Sequence, residues 1–299
     1  MRTHDTADHR LIERIRALRT PLDPVPTRVL PRTRTFPDIR AVLFDVYGTL
    51  VISASGDIDA LPEANAADAH EAAKTASGLA SGAFVRNAGP ELLKDEIRAT
   101  HARLRSQGIE FPEVDILEIW RKQIRNPGSP AIDVQLRRLA VEYEFRVNPV
   151  CPMPGLSALL HSLQSRGMIL GIVSNAQFYT PLMLEAFLSA PLEARGFLSD
   201  HCSWSYHVGQ AKPSLAIYTP LLARLHDLYH LEPRQILYVG NDMRNDVYPA
   251  NELRLNTVLF AGDRRSLRLR EDDPKASHCQ PDAVITTLPQ LVTDLLAPP

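Results

Sequence analysis

The chain has 299 residues, of which 44% are hydrophobic, and its formal net charge is -2. This composition predicts a soluble globular protein with ample material for a core. The near-neutral charge excludes a general attraction to nucleic acid or to an anionic membrane, so neither is expected as a partner.

The three cysteines, Cys151, Cys202 and Cys279, are odd in number and lie far apart. Their spacing fits neither a zinc site nor a disulfide framework, which favours a reducing compartment. The first ten residues are polar with no apolar stretch after them, so no secretory signal is expected. No segment is long enough to span a membrane, and we predict a cytoplasmic protein.

Residues 1–40 differ from the other residues in charge, since nine arginines against five acidic residues give a formal +4. Leu11, Ile12, Ile15 and Leu18 recur at helical spacing and predict a short amphipathic helix, followed by a proline-rich stretch that should run extended. Such an arm would fit an anionic partner, a homodimer held together by the arm, or a helix and strap docked on the same chain. The docked arrangement is favoured.

Asp45 follows four apolar residues, 41–44, which predict a strand buried on both faces of a parallel sheet. Ligands of such sheets bind outside the carboxyl ends of the strands, where Asp45 lies. Gly48 permits a tight turn, and Thr49 adds a hydroxyl and an amide donor. The stretch predicts a nucleophilic carboxylate at the sheet edge, although an aspartate that caps a turn is the plainer alternative.

Residues 56–148 show helical rather than strand periodicity, which predicts an inserted all-α domain. An alanine-rich piece over 60–80 indicates one helix with a loose end. Apolar stripes predict at least three more helices, over 93–104, 116–124 and 132–143. Charged and aromatic residues near the start of one of these helices could face the catalytic loops, although charges on a helix are mostly solvated. They are Glu113, Asp115, Trp120, Arg121 and Lys122.

Strands and helices alternate again from residue 149 to residue 299. The predicted strands cover 168–173, 197–204, 235–239, 256–260 and 283–285, and a last helix covers 289–296. Polar residues follow several of these strands, and because the carboxyl ends of parallel strands share one edge, we expect them to gather around Asp45. They are Ser174 with Asn175, Lys212 in a loop, and Asp242 with Asp246.

The predicted fold class is therefore α/β, with a doubly wound, Rossmann-like parallel sheet and an inserted all-α domain. The chain divides into an N-terminal arm over 1–40, a core over 41–55 plus 149–299, and a helical domain over 56–148. 

Four groups of residues, taken in chain order, resemble the four motifs of the haloacid dehalogenase superfamily across nearly all of residues 40–299. They are Asp45-Val46-Tyr47-Gly48-Thr49, Ser174-Asn175, Lys212, and Asp242 with Asp246. The helical insertion lies where that family has its helical cap domain. The resemblance implies a hydrolase that uses Asp45 as a nucleophile.

The resemblance also implies a magnesium site with three protein ligands, namely Asp45, the main-chain carbonyl of Tyr47 and Asp242. Asp246 would be a further ligand or would orient a metal-bound water. Carboxylates crowded around Asp45 would repel one another without a hard cation, and oxygen ligands suit Mg²⁺. 

The remaining motif residues would prepare the site for a small anionic substrate. Lys212 would place a positive charge against the nucleophile and the substrate anion. Ser174, Asn175 and the amide of Thr49 would bind the oxygens of that anion.

Two reactions fit these motifs. Tyr47, together with Tyr218 six places after Lys212, resembles the 2-haloacid dehalogenases, in which the aspartate displaces halide from carbon without metal. Those enzymes have serine in place of the metal-binding acid, whereas the pair of Asp242 and Asp246 resembles the phosphatases of the family. Magnesium-dependent hydrolysis of a small phosphate ester is preferred on this ground.

Tyr47 departs from the phosphatase pattern, because those enzymes have an aspartate there as the general acid. A phenol with a pKa of ~10 is a poor acid at neutral pH, although a leaving group of low pKa would not need one. Metal-independent dehalogenation of a 2-haloacid is the alternative, and a catalytically weak relative that acts as a binding protein is a third. The intact nucleophile, lysine and acidic pair argue against the third.

Overall fold

The structure is a computed structural model that describes residues 6–54, 63–126, 128 and 130–297. The strands, in chain order, are β1 (Ala41–Phe44), β2 (Val51–Ser53), β3 (Val150–Pro152), β4 (Ile169–Ser174), β5 (Phe197–Trp204), β6 (Ile236–Gly240), β7 (Asn256–Phe260) and β8 (Ala283–Ile285). Six of them form one parallel sheet in the order β5-β4-β1-β6-β7-β8. This is the predicted α/β fold class.

The helices alternate with these strands in the core and follow one another in the insertion. They are α1 (Thr6–Leu18), α2 (Glu63–Ser77), α3 (Pro90–Ser106), α4 (Ile116–Arg121), α5 (Pro130–Val147), α6 (Leu156–Ser165), α7 (Tyr179–Leu188), α8 (Ser205–Val208), α9 (Thr219–Tyr229) and α10 (Tyr248–Glu252). Residues Met243–Val247 and Leu291–Leu295 form π-helical turns, the second of them inside the helix predicted over 289–296.

β1 lies in the middle of the sheet and is buried on both faces, as its unbroken apolar sequence predicts. Val42 and Phe44 belong to a core cluster with residues of α6 and α7. Ala41 and Leu43 belong to a second cluster with residues of α9. Since β1 pairs with β4 on one side and β6 on the other, Asp45 emerges between the carboxyl ends of both neighbours.

A short antiparallel pair, β2 with β3, lies where the chain enters and leaves the helical insertion. The sequence did not predict this pair, because three residues per strand are too few for a periodic signal. The insertion contains α2 to α5, and its own apolar core includes Leu93, Trp120 and Leu136. Residues 55–62, which contain the predicted boundary and the start of the alanine-rich piece, lie outside the described residues.

The N-terminal segment packs on its own chain, in agreement with the favoured arrangement of the arm. Leu11, Ile12 and Ile15 of α1 are buried in the core cluster that contains α6 and α7. Arg14 donates from Nε to Oε1 of the buried Glu142 at 2.5 Å, which joins α1 to the insertion. 

Beyond α1, the proline-rich stretch runs beside the edge strand β8 and forms an antiparallel bridge between Arg32 and Val284. No helix among the described residues is long and apolar enough to cross a membrane.

Candidate active site

The loop after β1 fixes Asp45 at the rim of a cavity by closing tightly on itself. Leu50 donates its amide to the carbonyl of Val46 at 2.9 Å, and Gly48 donates to the carbonyl of Val51 at 2.7 Å. Gly48 has a φ of 84°, and a Cβ there would lie 2.5 Å from the Asn241 amide nitrogen. Glycine is therefore required at this turn both for its backbone conformation and for space.

Lys212 lies between two carboxylates at the centre of the site. Its Nζ donates to Asp45 Oδ1 at 2.6 Å and to Asp246 Oδ1 at 2.6 Å, and all three groups are buried. Burial alone would lower the pKa of Lys212, but the charges of Asp246 and Asp45 outweigh it, so the pKa is raised. Lys212 is therefore a fixed positive charge throughout the physiological pH range.

One oxygen of Asp45 is held in place while the other is uncommitted. Asp45 Oδ1 accepts from Lys212 and also from the hydroxyl of Ser174, at 3.1 Å. Asp45 Oδ2 accepts no hydrogen bond from the described part of the chain, and Asp45 lines the cavity. A carboxylate fixed through one oxygen and open at the other is arranged as a nucleophile.

Both carboxylate oxygens of Asp246 accept hydrogen bonds, so this residue positions other groups. Its Oδ2 accepts the backbone amides of Asn241 and Asp242, at 3.0 Å and 2.9 Å. Its Oδ1 accepts from Lys212 and from the hydroxyl of Tyr238, the latter at 3.0 Å. This geometry differs from the metal role expected for Asp246, because both oxygens are already used.

The environment of Asp246 also shifts its titration. Burial raises the pKa of Asp246 to about 6, with Lys212 opposing the shift and Asp45 adding to it. Gly240 makes room for the carboxyl group, since a Cβ at Gly240 would clash with it. Tyr238, which supports Asp246 from β6, was not singled out in the sequence because its position inside a strand marks it as core.

Asp242 caps the π-helical turn and forms an ion pair. Its Oδ1 accepts the amides of Arg244 and Asn245, at 2.8 Å and 3.2 Å. Its Oδ2 accepts from Nη2 of Arg270 at 2.8 Å. Asp242 therefore caps the turn that follows it. A metal ion could bind Asp242 only in competition with Arg270. No sequence signal singled out Arg270, which lies in a loop with several other arginines.

Asn241 is the side chain of this segment that faces the nucleophile loop. Its Oδ1 accepts from the hydroxyl of Thr49 at 3.2 Å, and its side chain borders Gly48. The sequence prediction passed over Asn241 in favour of the neighbouring acid. Its place immediately after β6 could have suggested it, because that is where Asp45 stands after β1.

Of the three predicted anion-binding residues, Asn175 lines the cavity, whereas Ser174 and Thr49 are fully buried. Asn175 lines the cavity and accepts the amide of Lys212 on Oδ1 at 2.7 Å, so it orients the lysine loop. Ser174 is fully buried and serves Asp45 directly. Thr49 is also fully buried, and its amide donates to the carbonyl of Val46 at 3.2 Å. The amide of Thr49 is therefore used within the loop, contrary to the expectation that it binds substrate.

Tyr47 lines the cavity beside Asp45, and its hydroxyl lies 3.0 Å from that of Thr180 in α7. Desolvation and the nearby Glu144 raise the pKa of Tyr47 far above its ordinary value. The phenol therefore stays protonated at neutral pH and binds its proton too tightly to be an efficient general acid. Tyr218, by contrast, is buried in the core and donates to the carbonyl of Asn245 at 2.9 Å.

The cavity has a volume of about 340 Å³ and lies between the sheet edge and the helical insertion. Lys212, Asp45 and Asp242 line it from the core, and Glu113 and Glu144 line it from the insertion. Burial raises the pKa of both glutamates. Of the other insertion residues considered in the sequence, Arg121 pairs with Asp133 and Lys122 pairs with Glu96, away from the cavity.

The oxygen donors around Asp45 fit Mg²⁺ in their chemistry. Mg²⁺ is commonly held by one or two carboxylates together with waters and substrate oxygens. Asp45 and Asp242 both line the cavity, whereas the described residues contain no cluster of three or more His, Cys, Asp or Glu side chains arranged for a metal. These two carboxylates are the side chains that would hold a divalent ion, and Arg270 would compete with it for Asp242.

The chain is similar in sequence to known hydrolases. A sequence model of the haloacid dehalogenase-like hydrolases matches residues 39–253. A ribulose-1,5-bisphosphate 5-phosphatase of Halopiger xanaduensis is 32% identical over 148 residues, which are 48% of this chain and 56% of that enzyme. The chain thus spans little more than half the length of this curated relative.

Solved structures are similar to the chain at low sequence identity. A 2-haloacid dehalogenase from Pseudomonas syringae pv. Tomato superposes with a TM-score of 0.51 and 17% identity, covering 85% of this chain and 97% of that one. A predicted phosphoglycolate phosphatase from Haemophilus somnus gives a TM-score of 0.47 and 17% identity, covering 86% and 97%. The first of these likenesses shows the fold.

Proposed function

This chain belongs to the haloacid dehalogenase-like hydrolase family, and from that premise we propose that it hydrolyses a small phosphate ester through a covalent intermediate on Asp45. The observation that carries the proposal is the Asp45 carboxylate, which is fixed through one oxygen by Lys212 and Ser174 and has its other oxygen uncommitted. The partial sequence relative, which is a phosphatase, supports phosphate as the group transferred.

Two displacements complete the proposed reaction. Asp45 Oδ2 attacks phosphorus, the bond from phosphorus to the ester oxygen breaks, and the leaving oxygen departs with the electron pair of that bond as an oxyanion that takes a proton from water. Water then attacks phosphorus of the aspartyl phosphate, releasing inorganic phosphate and restoring the carboxylate. Lys212 stays protonated throughout and offsets the negative charge that accumulates as an anionic substrate approaches Asp45.

Asp45, the main-chain carbonyl of Tyr47 and Asp242 are the groups that would hold Mg²⁺ in this proposal. When bound, the ion would neutralise charge shared between Asp45 and the phosphoryl oxygens. Asp246 acts through Lys212 and Tyr238, which it holds in place.

At the position of Tyr47, the site has no efficient general acid to give the leaving group a proton. Tyr47 occupies the place of the usual acid, and its raised pKa keeps its proton bound. An alcohol of low pKa can leave without a proton. Phosphate esters of such alcohols are therefore the favoured substrates. Installing an acid by Tyr47→Asp should raise kcat/KM for an alkyl phosphate and change that for an aryl phosphate little.

Hydrolysis of a 2-haloacid is the second candidate, and it is favoured by one specific observation. Asp242 already forms an ion pair with Arg270, so this carboxylate has a positive partner without a divalent ion. In that reaction Asp45 Oδ2 would displace halide from carbon, and halide needs no proton.

One panel of assays separates the two candidates. Alkyl and aryl phosphates and 2-haloacids are each incubated with the protein in Mg²⁺ and in a chelator. The proposal predicts release of phosphate that stops in the chelator. Halide release that persists in the chelator, with no phosphate release in either condition, would favour the second candidate. A small anionic substrate, a cytoplasmic location and a homodimer stay predictions alongside this proposal.

A further inference from the structure

A second cavity of about 350 Å³ lies between the helices of the insertion and residues Gln177 and Tyr179 of the core, and we name it the insertion chamber. Side chains of α3, α4 and α5 line it, and most of them are apolar or aromatic. The apolar and aromatic lining residues of these helices include Leu93, Ile97, Trp120, Ala140, Tyr143 and Val147. A volume above ~300 Å³ lies in the range of cavities that bind small molecules.

The insertion chamber adjoins the catalytic cavity through a shared polar wall. Glu113, Glu144, Gln177 and Tyr179 each line both cavities, together with His101 and Asn148. A substrate whose phosphate lies at Asp45 could therefore extend its leaving group past this wall into the chamber.

The two glutamates of the shared wall are hydrogen-bonded to neighbouring side chains. Glu144 accepts from the hydroxyl of Tyr179 at 3.0 Å and from the amide of Asn148 at 3.3 Å. Glu113 accepts from the hydroxyl of Ser205 at 2.7 Å and from the amide of Gln177 at 3.3 Å. These contacts hold the two glutamates within the protein's own hydrogen-bond network.

Two cationic residues of α3, Lys94 and Arg98, also line the chamber, and each is already paired with a carboxylate. Lys94 pairs with Glu91 and Arg98 pairs with Asp95, both on the surface of α3. Burial raises the pKa of Glu113 and of Glu144, so the wall disfavours the charged forms of these two side chains. An apolar group that packs against the larger, apolar and aromatic part of the lining gains from leaving water.

We infer that the insertion chamber takes the leaving group of the substrate, and that this group is aromatic, so that the substrates are aryl phosphates. The inference rests on the proposed function, which it makes more specific. Two independent observations carry it: the apolar and aromatic lining of the chamber, and Tyr47 in place of an acid beside Asp45. An aryl ester breaks with the electron pair on the phenolate oxygen, which takes its proton later from water.

The first test measures binding without catalysis, with 1-naphthol as the probe. Trp120 lines the chamber, and Trp204 is the second of the two tryptophans in the chain, so Trp204→Phe leaves Trp120 as the reporter. We expect 1-naphthol to change the fluorescence of this variant in a saturable manner. The full chain is used for every measurement, with circular dichroism and melting as checks of folding.

Filling the insertion chamber should abolish this binding. Ala140→Leu adds a branched side chain to its lining, and Ala66→Leu adds one from α2 in case the first variant does not fold. Each should weaken 1-naphthol binding at least about 10-fold, since it removes the apolar space that a ring needs. The matched control is Ala131→Leu, the same change at an exposed position of α5, which should bind as wild type does.

The second test measures selectivity. The value of kcat/KM for 1-naphthyl phosphate should exceed that for glycerol phosphate at least about 10²-fold, and Ala140→Leu should remove most of that preference. Preference for glycerol phosphate, or 1-naphthol binding that survives both filled variants, would overturn the inference. Binding of 1-naphthol that needs the open chamber, with no hydrolysis of any phosphate ester, would refute the proposed function while supporting the aromatic preference of the chamber.

Discussion

The catalytic cavity and the insertion chamber adjoin and share one polar wall, yet the other side chains that line them differ in character. In the catalytic cavity, Lys212 lies 2.6 Å from two carboxylates, which the ends of parallel strands and the following loops hold in register. The chamber is lined mainly by apolar and aromatic side chains, and the two glutamates at its wall have raised pKa values. The sheet thus supplies the chemistry, and in our proposal the insertion supplies the choice of leaving group.

Removing the nucleophile should separate the two regions most sharply. We expect Asp45→Asn to lower kcat at least about 10³-fold, because an amide cannot form the ester intermediate while it matches the carboxylate in shape. Binding of 1-naphthol in the chamber should stay unchanged, as measured by Trp120 fluorescence. Residual activity near that of wild type would refute the assignment of Asp45.

Removing the central cation tests how far the catalytic cavity depends on charge pairing. Lys212→Met should lower kcat by about 10²–10³-fold and the free energy of unfolding by about 3–5 kcal/mol, because Asp45 and Asp246 are left buried without their partner. Denaturant titration measures the second effect. Lys122→Met, which breaks an exposed pair with Glu96, is the control and should cost at most about 1 kcal/mol. Equal losses in the two variants would contradict this view of the site.

Much of the catalytic cavity could be predicted from sequence because buried parallel strands have a strong sequence signal. Unbroken apolar runs such as residues 41–44 mark buried strands, and polar residues at their ends must meet at one edge. Asp45, Lys212 and Asp246 are brought together by this rule. The six strands of the sheet were predicted for the same reason, whereas the short pair of β2 and β3 was not.

The orientation of individual side chains could not be predicted, because it depends on contacts between distant segments. Sequence alone did not show that Asn241 rather than Asp242 would face the loop of Thr49. Nor did it show that Arg270, which lies 28 residues after Asp242, would bind that carboxylate. The wall between the two cavities likewise depends on tertiary contacts, such as the one between Glu144 and Tyr179.

The ion pair of Arg270 with Asp242 predicts a measurable competition with metal. Arg270→Ala should strengthen Mg²⁺ binding about 10-fold in isothermal titration, because the carboxylate no longer has a guanidinium to displace. Arg244→Ala, which removes a partly exposed partner of Asp273, serves as the matched control. An unchanged affinity in Arg270→Ala would show that Asp242 does not hold the ion.

The smallest expected effect is on stability and concerns the wall of the insertion chamber. Burial raises the pKa of Glu144, so the folded protein binds this proton more tightly than the unfolded chain does. Stability from this group is therefore present at low pH and falls as pH rises through the raised pKa. Glu144→Gln removes the charge and should raise the melting temperature by about 2 °C or more at about pH 8, with a smaller gain at about pH 5.

Melting curves at both pH values test this expectation, with Glu110→Gln as the control at an exposed position of the insertion. The control should show no gain that grows with pH. A gain in Glu144→Gln that is larger at the lower pH would mean that the charge of Glu144 is stabilised rather than disfavoured at the wall.

The central claim is that Asp45 becomes covalently phosphorylated, and acid quenching under single-turnover conditions tests it most directly. Excess protein is mixed with 1-naphthyl phosphate in heavy-oxygen water, quenched early and digested, and the peptide that contains Asp45 is weighed by mass spectrometry. We predict a fraction of this peptide heavier by one phosphoryl group, with heavy oxygen appearing in inorganic phosphate and none in Asp45 after complete turnover. Release of naphthol with no phosphorylated peptide at any quench time would contradict the account.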